Sequence, residues 1–203
     1  MRKYIIPIAT ILTITVTALL LPSFRVSPGE GIYADQQQAL RAFEQLNKVR
    51  KDPNSFSERY GITLKGIPSS QELTWNDTLA MVAQNKALDM AQKDYFGSVD
   101  KDGFGINYYI NKAGYRIDTV WRKHNKADNF AAFDGGAPSG PDAIREIVVG
   151  KPSTVGDGKE LLLGMGDFNS TLVDCGVGFV HGIKETKYRT YTCIIIARHH
   201  PKK

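Results

Sequence analysis

An apolar stripe of helical period dominates the middle of the chain. Its members are Leu79, Val82, Ala83, Ala87, Met90 and Ala91, mainly at spacings of three, four and seven. This spacing predicts one helix with one buried face. Asn76 or Asp77 can cap the first turn with a side-chain oxygen, and Gly97 follows the last apolar position. Because three of the six members are alanine, we expect this helix to approach another layer closely.

Helical spacing also predicts three shorter elements. They are a helix from Asp35 that ends at Pro53, a short helix or helical turn within residues 104–117, and a helix over residues 142–149. On the first of these, Asn47 and Arg50 fall outside the apolar stripe, so we expect them on the solvated or boundary face. The intervening residues 55–71, 118–141 and 151–170 are polar and rich in glycine, which predicts irregular links.

The last third of the chain has a β pattern. Residues 174–181 alternate, with Cys175, Val177 and Phe179 on one side, and residues 188–198 form a nearly continuous β-branched apolar run. Such a run is typical of a central strand that is covered on both faces. The short link between the two runs predicts an antiparallel hairpin.

The hairpin gives the two cysteines a predicted role. A turn centred near Lys184 would place Cys175 opposite Cys193 or one diagonal step away, within the separation that a disulfide tolerates. In an exported chain we therefore expect a structural disulfide, which would contribute about 3 kcal/mol by closing its loop. The alternative is a pair of buried free thiols that pack as small apolar residues.

The N-terminus has the pattern of an export signal. Arg2 and Lys3 precede the uncharged residues 4–21, and Ala34 offers a small residue for cleavage. The apolar run is also long enough to serve as an uncleaved membrane anchor. We therefore predict a signal peptide or anchor over residues 1–34, one domain over residues 35–203, and an exported protein that is secreted or held in the cell envelope.

Charge adds little to this prediction. The 203 residues carry a net charge of +5, of which +2 belongs to residues 1–34 and +3 to the remainder. No run of lysine and arginine is interleaved with aromatic residues, so nucleic acid is not an expected partner. Contact with a membrane is expected only through the N-terminal segment.

Several motifs, in this order, resemble one family. They are LNKVR at residues 46–50, LTWNDTLAMVAQNKALDMA at 73–91, the YF pair at 95–96 and DCGVGFV at 174–180. In that order and spacing the chain resembles the CAP superfamily of cysteine-rich secretory, antigen 5 and pathogenesis-related proteins, in its bacterial SCP-like branch. The resemblance runs from about Leu46 to Ala197. It implies an α+β fold, a three-layer α-β-α sandwich around a central, mainly antiparallel sheet.

The resemblance also implies a site, from which this chain departs. Many members carry two histidines and two glutamates in a surface cleft, and in some of them these side chains hold a divalent metal such as zinc. The matching positions here are Ser98, Asp128, Asp142 and Gly158, the last beside Lys159. Both histidines are thus replaced and both acids are shortened. We therefore expect a degenerate cleft without a metal or other cofactor.

The remaining histidines do not restore a metal site. We expect His181, His199 and His200 to be solvated, whereas His124 is near enough to Asp128 in the chain to line the cleft. Ser98 could act as a nucleophile only with an oriented base, and no GxSxG elbow surrounds it. A polar turn residue is the favoured interpretation of Ser98.

Two functions of different classes follow. The first is a non-catalytic exported binding module whose cleft takes a lipid, a glycan or a cell-envelope protein. The aromatic residues Tyr108, Tyr109, Trp121, Phe130 and Phe133 could line its groove, although core packing is expected for at least half of them. The second is a metal-dependent hydrolase, most plausibly a peptidase, that uses Asp128, Asp142 and His124. The missing histidines favour the binding module.

Overall fold

The computed structural model of the chain describes residues 31–122, 129–151, 154–155 and 158–199. The helices are α1 (Gln36–Lys51), α2 (Pro53–Tyr60), α3 (Asp77–Gln92), α4 (Ile106–Lys112), α5 (Thr119–Arg122), α6 (Gly140–Val149), α7 (Gly158–Leu163) and α8 (Gly166–Asn169). The strands are β1 (Tyr33–Ala34), β2 (Thr74–Trp75), β3 (Ala131–Gly135), β4 (Thr154–Val155), β5 (Asp174–His181) and β6 (Thr190–Ala197).

Three of the predicted helices, α1, α3 and α6, begin at polar caps, whereas α4 follows Gly105 without a side-chain cap. The Asp35 carboxylate accepts the Gln38 amide at 3.0 Å and starts α1. The Asn76 amide oxygen accepts the Leu79 amide at 3.1 Å and starts α3, which confirms one of the two predicted caps. Helix α6 starts slightly before the predicted position, because Ser139 is its cap.

The β5–β6 hairpin forms the centre of one sheet. The order is β1-β5-β6-β3-β4, with antiparallel pairing throughout, and β2 adds a short parallel pairing to β5. All residues of β6 are buried, as its continuous apolar pattern predicted. The mainly antiparallel sheet is confirmed.

Helices cover both faces of this sheet. Gly176 and Gly178 face α3, whose backbone lies so close that a methyl group on either glycine would sit 2.1 Å or 2.4 Å from it. On the opposite face, α1 packs on β5 and against α6. The structure therefore confirms the three-layer α-β-α sandwich and the close approach of the alanine-rich stripe.

The predicted disulfide is not formed. Cys193 pairs with Gly178, and Cys175 pairs with Ile196, so the cysteines are offset by three residues along the hairpin. Because neighbouring strand residues point to opposite faces, an odd offset places the two thiols on opposite sides of the sheet. Both are free and buried, and burial raises the pKa of the Cys193 thiol to about 12. The alternative of free thiols in the core is correct.

Arg50 is a second correction, because its side chain is fully buried rather than solvated. Its guanidinium donates from Nε to the Gln71 carbonyl and from Nη1 to the Leu162 carbonyl, both at 2.8 Å. Asn47 makes a comparable link, since its side chain exchanges two hydrogen bonds with the Leu73 backbone at 2.9 Å and 3.0 Å. These polar side chains of α1 therefore fix the segments around α1.

The links predicted as irregular contain regular structure. Residues 118–141 include β3, which pairs with both β6 and β4 and is buried along its whole length. Residues 55–71 include most of α2, because Pro53 occupies the first turn of a new helix, where its missing N–H is harmless. Residues 151–170 include α7 and α8.

A short strand near the start of the described residues belongs to the sheet. Strand β1 pairs with β5, and the Tyr33 ring stacks on His181 with centroids 4.6 Å apart. His181 also lies 3.1 Å from the Asp35 carboxylate, so it is half-buried rather than solvated. Tyr33 and Ala34 fall within the predicted export segment, so the last two residues of that segment contribute to the fold. None of the helices in the described ranges is long and apolar enough to cross a membrane.

Candidate functional site

The structure describes three of the positions expected in the cleft. Ser98 lies half-buried in the bend that follows α3. The carboxylate of Asp142 accepts the Ser139 hydroxyl at 2.6 Å and pairs with Arg145 at 3.1 Å, so it serves the start of α6. His124 and Asp128 lie outside the described residues.

Gly158 has a packing role at the start of α7. A methyl group on Gly158 would lie 2.6 Å from the Ile147 side chain and 3.3 Å from that of Ala132. Contacts this short require the neighbours to shift, and the site is buried. A histidine at this position would not fit without rebuilding the contact between α6, α7 and β3.

No hydrogen bond or ion pair in the described part of the chain joins Ser98, Asp142 and Gly158 to one another. Ser98 follows α3 on one face of the sheet, whereas Asp142 begins α6, which packs with α1 on the other face. Among the described residues, no three His, Cys, Asp or Glu side chains are grouped to hold a metal ion. His124 and Asp128 belong to the expected cleft but lie outside the described residues, so the loss of the metal site remains a prediction.

A groove between α3 and α4 is a better candidate for a binding site than the expected cleft positions are. Its volume is about 380 Å³, and it is lined by Met81, Val82, Asn85, Lys86, Asp89, Tyr109, Lys112 and Ala113. The lining is mainly apolar with a few convergent polar groups, as is usual for sites that bind small molecules. We refer to this feature as the α3–α4 groove.

Lys86 is the unusual residue of the α3–α4 groove. It is only 5% exposed, although it carries an ammonium group. Its Nζ donates to the Tyr95 hydroxyl at 2.9 Å and lies 4.8 Å from the centroid of the same ring. Burial lowers the pKa of Lys86, while Cys193, Asp89 and Asp100 partly oppose that effect. A perturbed titratable group in a cleft is a mark of a functional site.

Tyr95 connects Lys86 to an acidic side chain. The Tyr95 hydroxyl donates to the Asp89 carboxylate, whose other oxygen lies 2.7 Å from Lys93. Burial and the hydrogen bond to Asp89 raise the pKa of Tyr95, so it stays a neutral donor. The YF pair therefore contributes a tyrosine that holds the buried lysine in place.

Asp100 organises the segment between α3 and α4. Its carboxylate accepts the amides of Asp102 at 2.9 Å and Phe104 at 2.8 Å, and it also accepts the Tyr109 hydroxyl. Burial would raise the pKa of Asp100, but these hydrogen bonds outweigh it and lower the pKa. This network fixes Tyr109, which lines the groove.

The aromatic residues proposed to line a groove have different roles. Phe130 and Phe133 are buried in the core, and Trp121 packs edge-on against Phe130 at 6.0 Å. Tyr108 stacks on Phe104 at 4.3 Å. Of the five, Tyr109 lines the α3–α4 groove.

The sequence pattern did not predict Lys86 as a site residue. The available signal was a lysine within the predicted helix, one residue before Ala87 of the apolar stripe.

A buried acid pair lies on the other side of the sheet. Asp134 of β3 is fully buried, accepts the Ala137 amide at 3.2 Å and is hydrogen-bonded to Glu146 of α6. Glu146 in turn pairs with Lys151. Burial raises the pKa of Asp134 to about 7, helped by the nearby charge of Glu146 and opposed by the Ala137 amide and Lys151.

This pair predicts a pH-dependent stability. Since the pKa of Asp134 rises from 3.8 when unfolded to about 7 when folded, the folded protein keeps a proton that the unfolded chain releases. Stability should therefore fall as the pH rises from about 4 to about 7, by roughly 2 to 4 kcal/mol from this group. Asp134→Asn mimics the protonated carboxyl and should flatten the profile.

Urea unfolding at about pH 4 and about pH 8 measures this difference. Asp167→Asn is the control, because Asp167 is exposed on α8. Equal pH profiles for the wild type and Asp134→Asn would contradict the assignment.

Comparisons with known proteins place this fold. The sequence model of the cysteine-rich secretory protein (CAP) family matches residues 43–148, about half of the chain. An outer surface protein of Borrelia burgdorferi is 14% identical, with a TM-score of 0.51, and the alignment covers 84% of this chain and 100% of that one. An extracellular SCP-domain protein of Bacillus anthracis is 15% identical, with a TM-score of 0.48.

The alignment to the Bacillus anthracis protein covers 81% of this chain, which spans about two fifths (41%) of the length of that protein. No curated protein matched the sequence. At 14% identity the Borrelia burgdorferi structure supports the fold alone. The family model matches the second half of α1, all of α3 and β3, and most of α6. The chain belongs to the cysteine-rich secretory protein (CAP) family.

Proposed function

We propose that this protein is an exported, non-catalytic binding module of the CAP family that takes a small ligand in the α3–α4 groove. The observation that carries the proposal is the groove itself, about 380 Å³ and lined by Lys86, Tyr109 and apolar side chains. That volume lies within the range of small-molecule sites. The hydrogen bonds of Asp100 and Tyr95 hold its polar walls in place before any ligand arrives.

Two observations support a binding role over catalysis. The Asp142 carboxylate is engaged with Ser139 and Arg145 at the start of α6. The position of Gly158 is filled by packing against Ile147. A hydrolase needs a positioned base or a metal-bound water, and neither residue is arranged to supply one.

Export is supported by the N-terminal sequence and by the family. Arg2 and Lys3 precede the apolar residues 4–21, which is the layout of a secretory signal or an N-terminal anchor. The structurally similar Borrelia burgdorferi protein is an outer surface protein. We propose the same side of the membrane for this chain.

A neutral apolar dye tests the groove. N-phenyl-naphthylamine fluoresces when it enters an apolar site, and we expect the full chain to bind it. Ala113→Phe places a ring in the groove, so this variant should lose the fluorescence increase because the volume is filled. Val149→Phe is the matched control, since Val149 is 47% exposed on α6, away from the groove.

The two variants show whether the dye binds in the α3–α4 groove or elsewhere on the protein. Binding that is lost in Ala113→Phe and kept in Val149→Phe supports the proposal. No dye binding by the wild type, or equal binding by the two variants, would refute the groove as the ligand site. Thermal melting of both variants confirms that each is folded at the temperature of the titration.

A further inference from the structure

The ammonium group of Lys86 has spare hydrogen-bonding capacity. A lysine ammonium has three donors, and in the described part of the chain its one hydrogen bond goes to the Tyr95 hydroxyl. Tyr95 is neutral, so this bond supplies no counter-charge. Lys86 also forms no ion pair among the described residues, where the pairs of this region join Lys93 to Asp89 and Asp102.

A buried cation of this kind is costly unless another group compensates it. The rings of Tyr95 and Phe133 lie 4.8 Å and 6.0 Å from Nζ and offer partial compensation through their faces. Lys86 is one of the residues that line the groove, and 5% of its surface is exposed. An occupant with a negative charge would complete the environment of Lys86.

The other charges of the groove favour the same sign. Asp89 is the acid in the lining, and its two oxygens are engaged with the Tyr95 hydroxyl and with Lys93. Lys112 adds a second cation to the rim. The groove lining therefore combines two lysines with one carboxylate that is paired with Lys93, while Asp100 behind Tyr109 adds a second negative charge near Lys86.

The remaining wall accepts an apolar body. Met81, Val82 and Ala113 line the groove, and Met81 is 51% exposed. Covering Met81 would remove apolar surface from water. The small volume limits the occupant to a small molecule rather than a folded partner.

We propose that the ligand of the α3–α4 groove is a small amphipathic molecule whose anionic head accepts hydrogen bonds from Lys86 and whose apolar body lies along Met81, Val82 and Ala113. This inference rests on the proposed binding function and adds the chemical class of the ligand. Lys86 is thus assigned as the residue that selects for charge. Tyr95 positions it.

A pair of dyes of similar shape tests the assignment. Anilinonaphthalene sulfonate is anionic, and N-phenyl-naphthylamine is its neutral counterpart. With the full chain, Lys86→Met should weaken sulfonate binding by about tenfold, the usual effect of losing a charge-assisted hydrogen bond. Binding of the neutral dye should change by less than about twofold, since the apolar wall is intact.

Two further variants complete the test. Lys184→Met is the matched control, because Lys184 is exposed in the β5–β6 turn, and it should leave both affinities unchanged. Lys86→Gln keeps a polar side chain without the charge and should behave as Lys86→Met does. Methionine is an apolar replacement of similar length, so these variants are expected to fold, and melting curves verify this.

The possible results are distinguishable. Equal loss of both dyes in folded Lys86→Met would refute charge selection and leave the groove as a purely apolar site. Unchanged binding of both dyes would also refute the role of Lys86, while loss of the neutral dye in Ala113→Phe would still support the groove. Failure of the wild type to bind either dye would refute the proposed function itself.

Discussion

Replacing Arg50 with alanine is expected to lower the free energy of unfolding by roughly 3 to 5 kcal/mol. The guanidinium donates to the carbonyls of Gln71 and Leu162, both at 2.8 Å, and so ties α1 to the segment before β2 and to α7. Its loss leaves the buried Leu162 carbonyl and the part-buried Gln71 carbonyl without their partner, and it opens a cavity beside Gly164. Each effect alone costs a substantial part of the stability of an average domain.

The Arg50 effect can be divided by a second variant. Arg50→Met fills most of the volume without the hydrogen bonds, so it should be less destabilising than Arg50→Ala. Burial lowers the pKa of Arg50, which shows that its charge is held at a cost, and methionine removes that cost as well. The difference between the two variants therefore reports mainly on the cavity.

Urea unfolding of both variants measures these effects, with Arg59→Ala as the control because Arg59 is exposed on α2. The control should change stability by less than about 0.5 kcal/mol. If Arg50→Ala were as mild as Arg59→Ala, the clamp between α1, the Gln71 segment and α7 would be refuted.

Gly178→Ala should be comparably damaging, for the opposite reason. A methyl group on Gly178 would lie 2.4 Å from backbone atoms of Ala83 and Gln84 in α3. Backbone cannot rotate away as a side chain can, so α3 must lift from the sheet. We expect a loss of about 3 kcal/mol, at the upper end of overpacking effects, because the strand and the helix are both rigid.

Gly97→Ala is the matched control, because a methyl group there would meet no atom within 4 Å. Thermal and urea unfolding of the two alanine variants should differ clearly, with Gly97→Ala close to the wild type. Moreover, a displaced α3 carries Lys86 with it, so Gly178→Ala should also weaken dye binding in the α3–α4 groove. Wild-type stability in Gly178→Ala would contradict the close contact of α3 with β5.

Local patterns predicted the elements whose signals are local. The stripe from Leu79 to Ala91 predicted α3 and its buried face, and the apolar run at residues 188–198 predicted β6 as a central strand. Strand β3 was missed because it has five residues, lies on a glycine-rich stretch and is held by pairing with β6 and β4. Its pairing partners are distant in sequence.

Register explains the wrong disulfide. The sequence predicted the β5–β6 hairpin, but not where in the turn the chain reverses. A turn centred near Lys184 would pair Cys175 with Cys193, whereas in the observed register Gly178 pairs with Cys193. A shift by an odd number of residues moves a side chain to the other face, so a small error in the turn reverses the conclusion.

The candidate site divides in the same way. Motifs identified the family, the YF pair and the missing histidines, since these depend on residue identity alone. The α3–α4 groove depends on how α4 returns across α3, which the hydrogen bonds of Asp100 decide. Lys86 and Arg50 are buried because other segments of the chain pack over them. The spacing of apolar residues within one helix does not predict such packing.

The sequence by itself thus determined most of the periodic elements and the family, because apolar spacing and motif order are properties of the chain. It also predicts an export signal. Tertiary structure decided the strand register, the fates of the two cysteines and the place of the groove. These depend on which surfaces meet, and a contact between distant segments is settled by packing and hydrogen bonding in three dimensions rather than by local pattern.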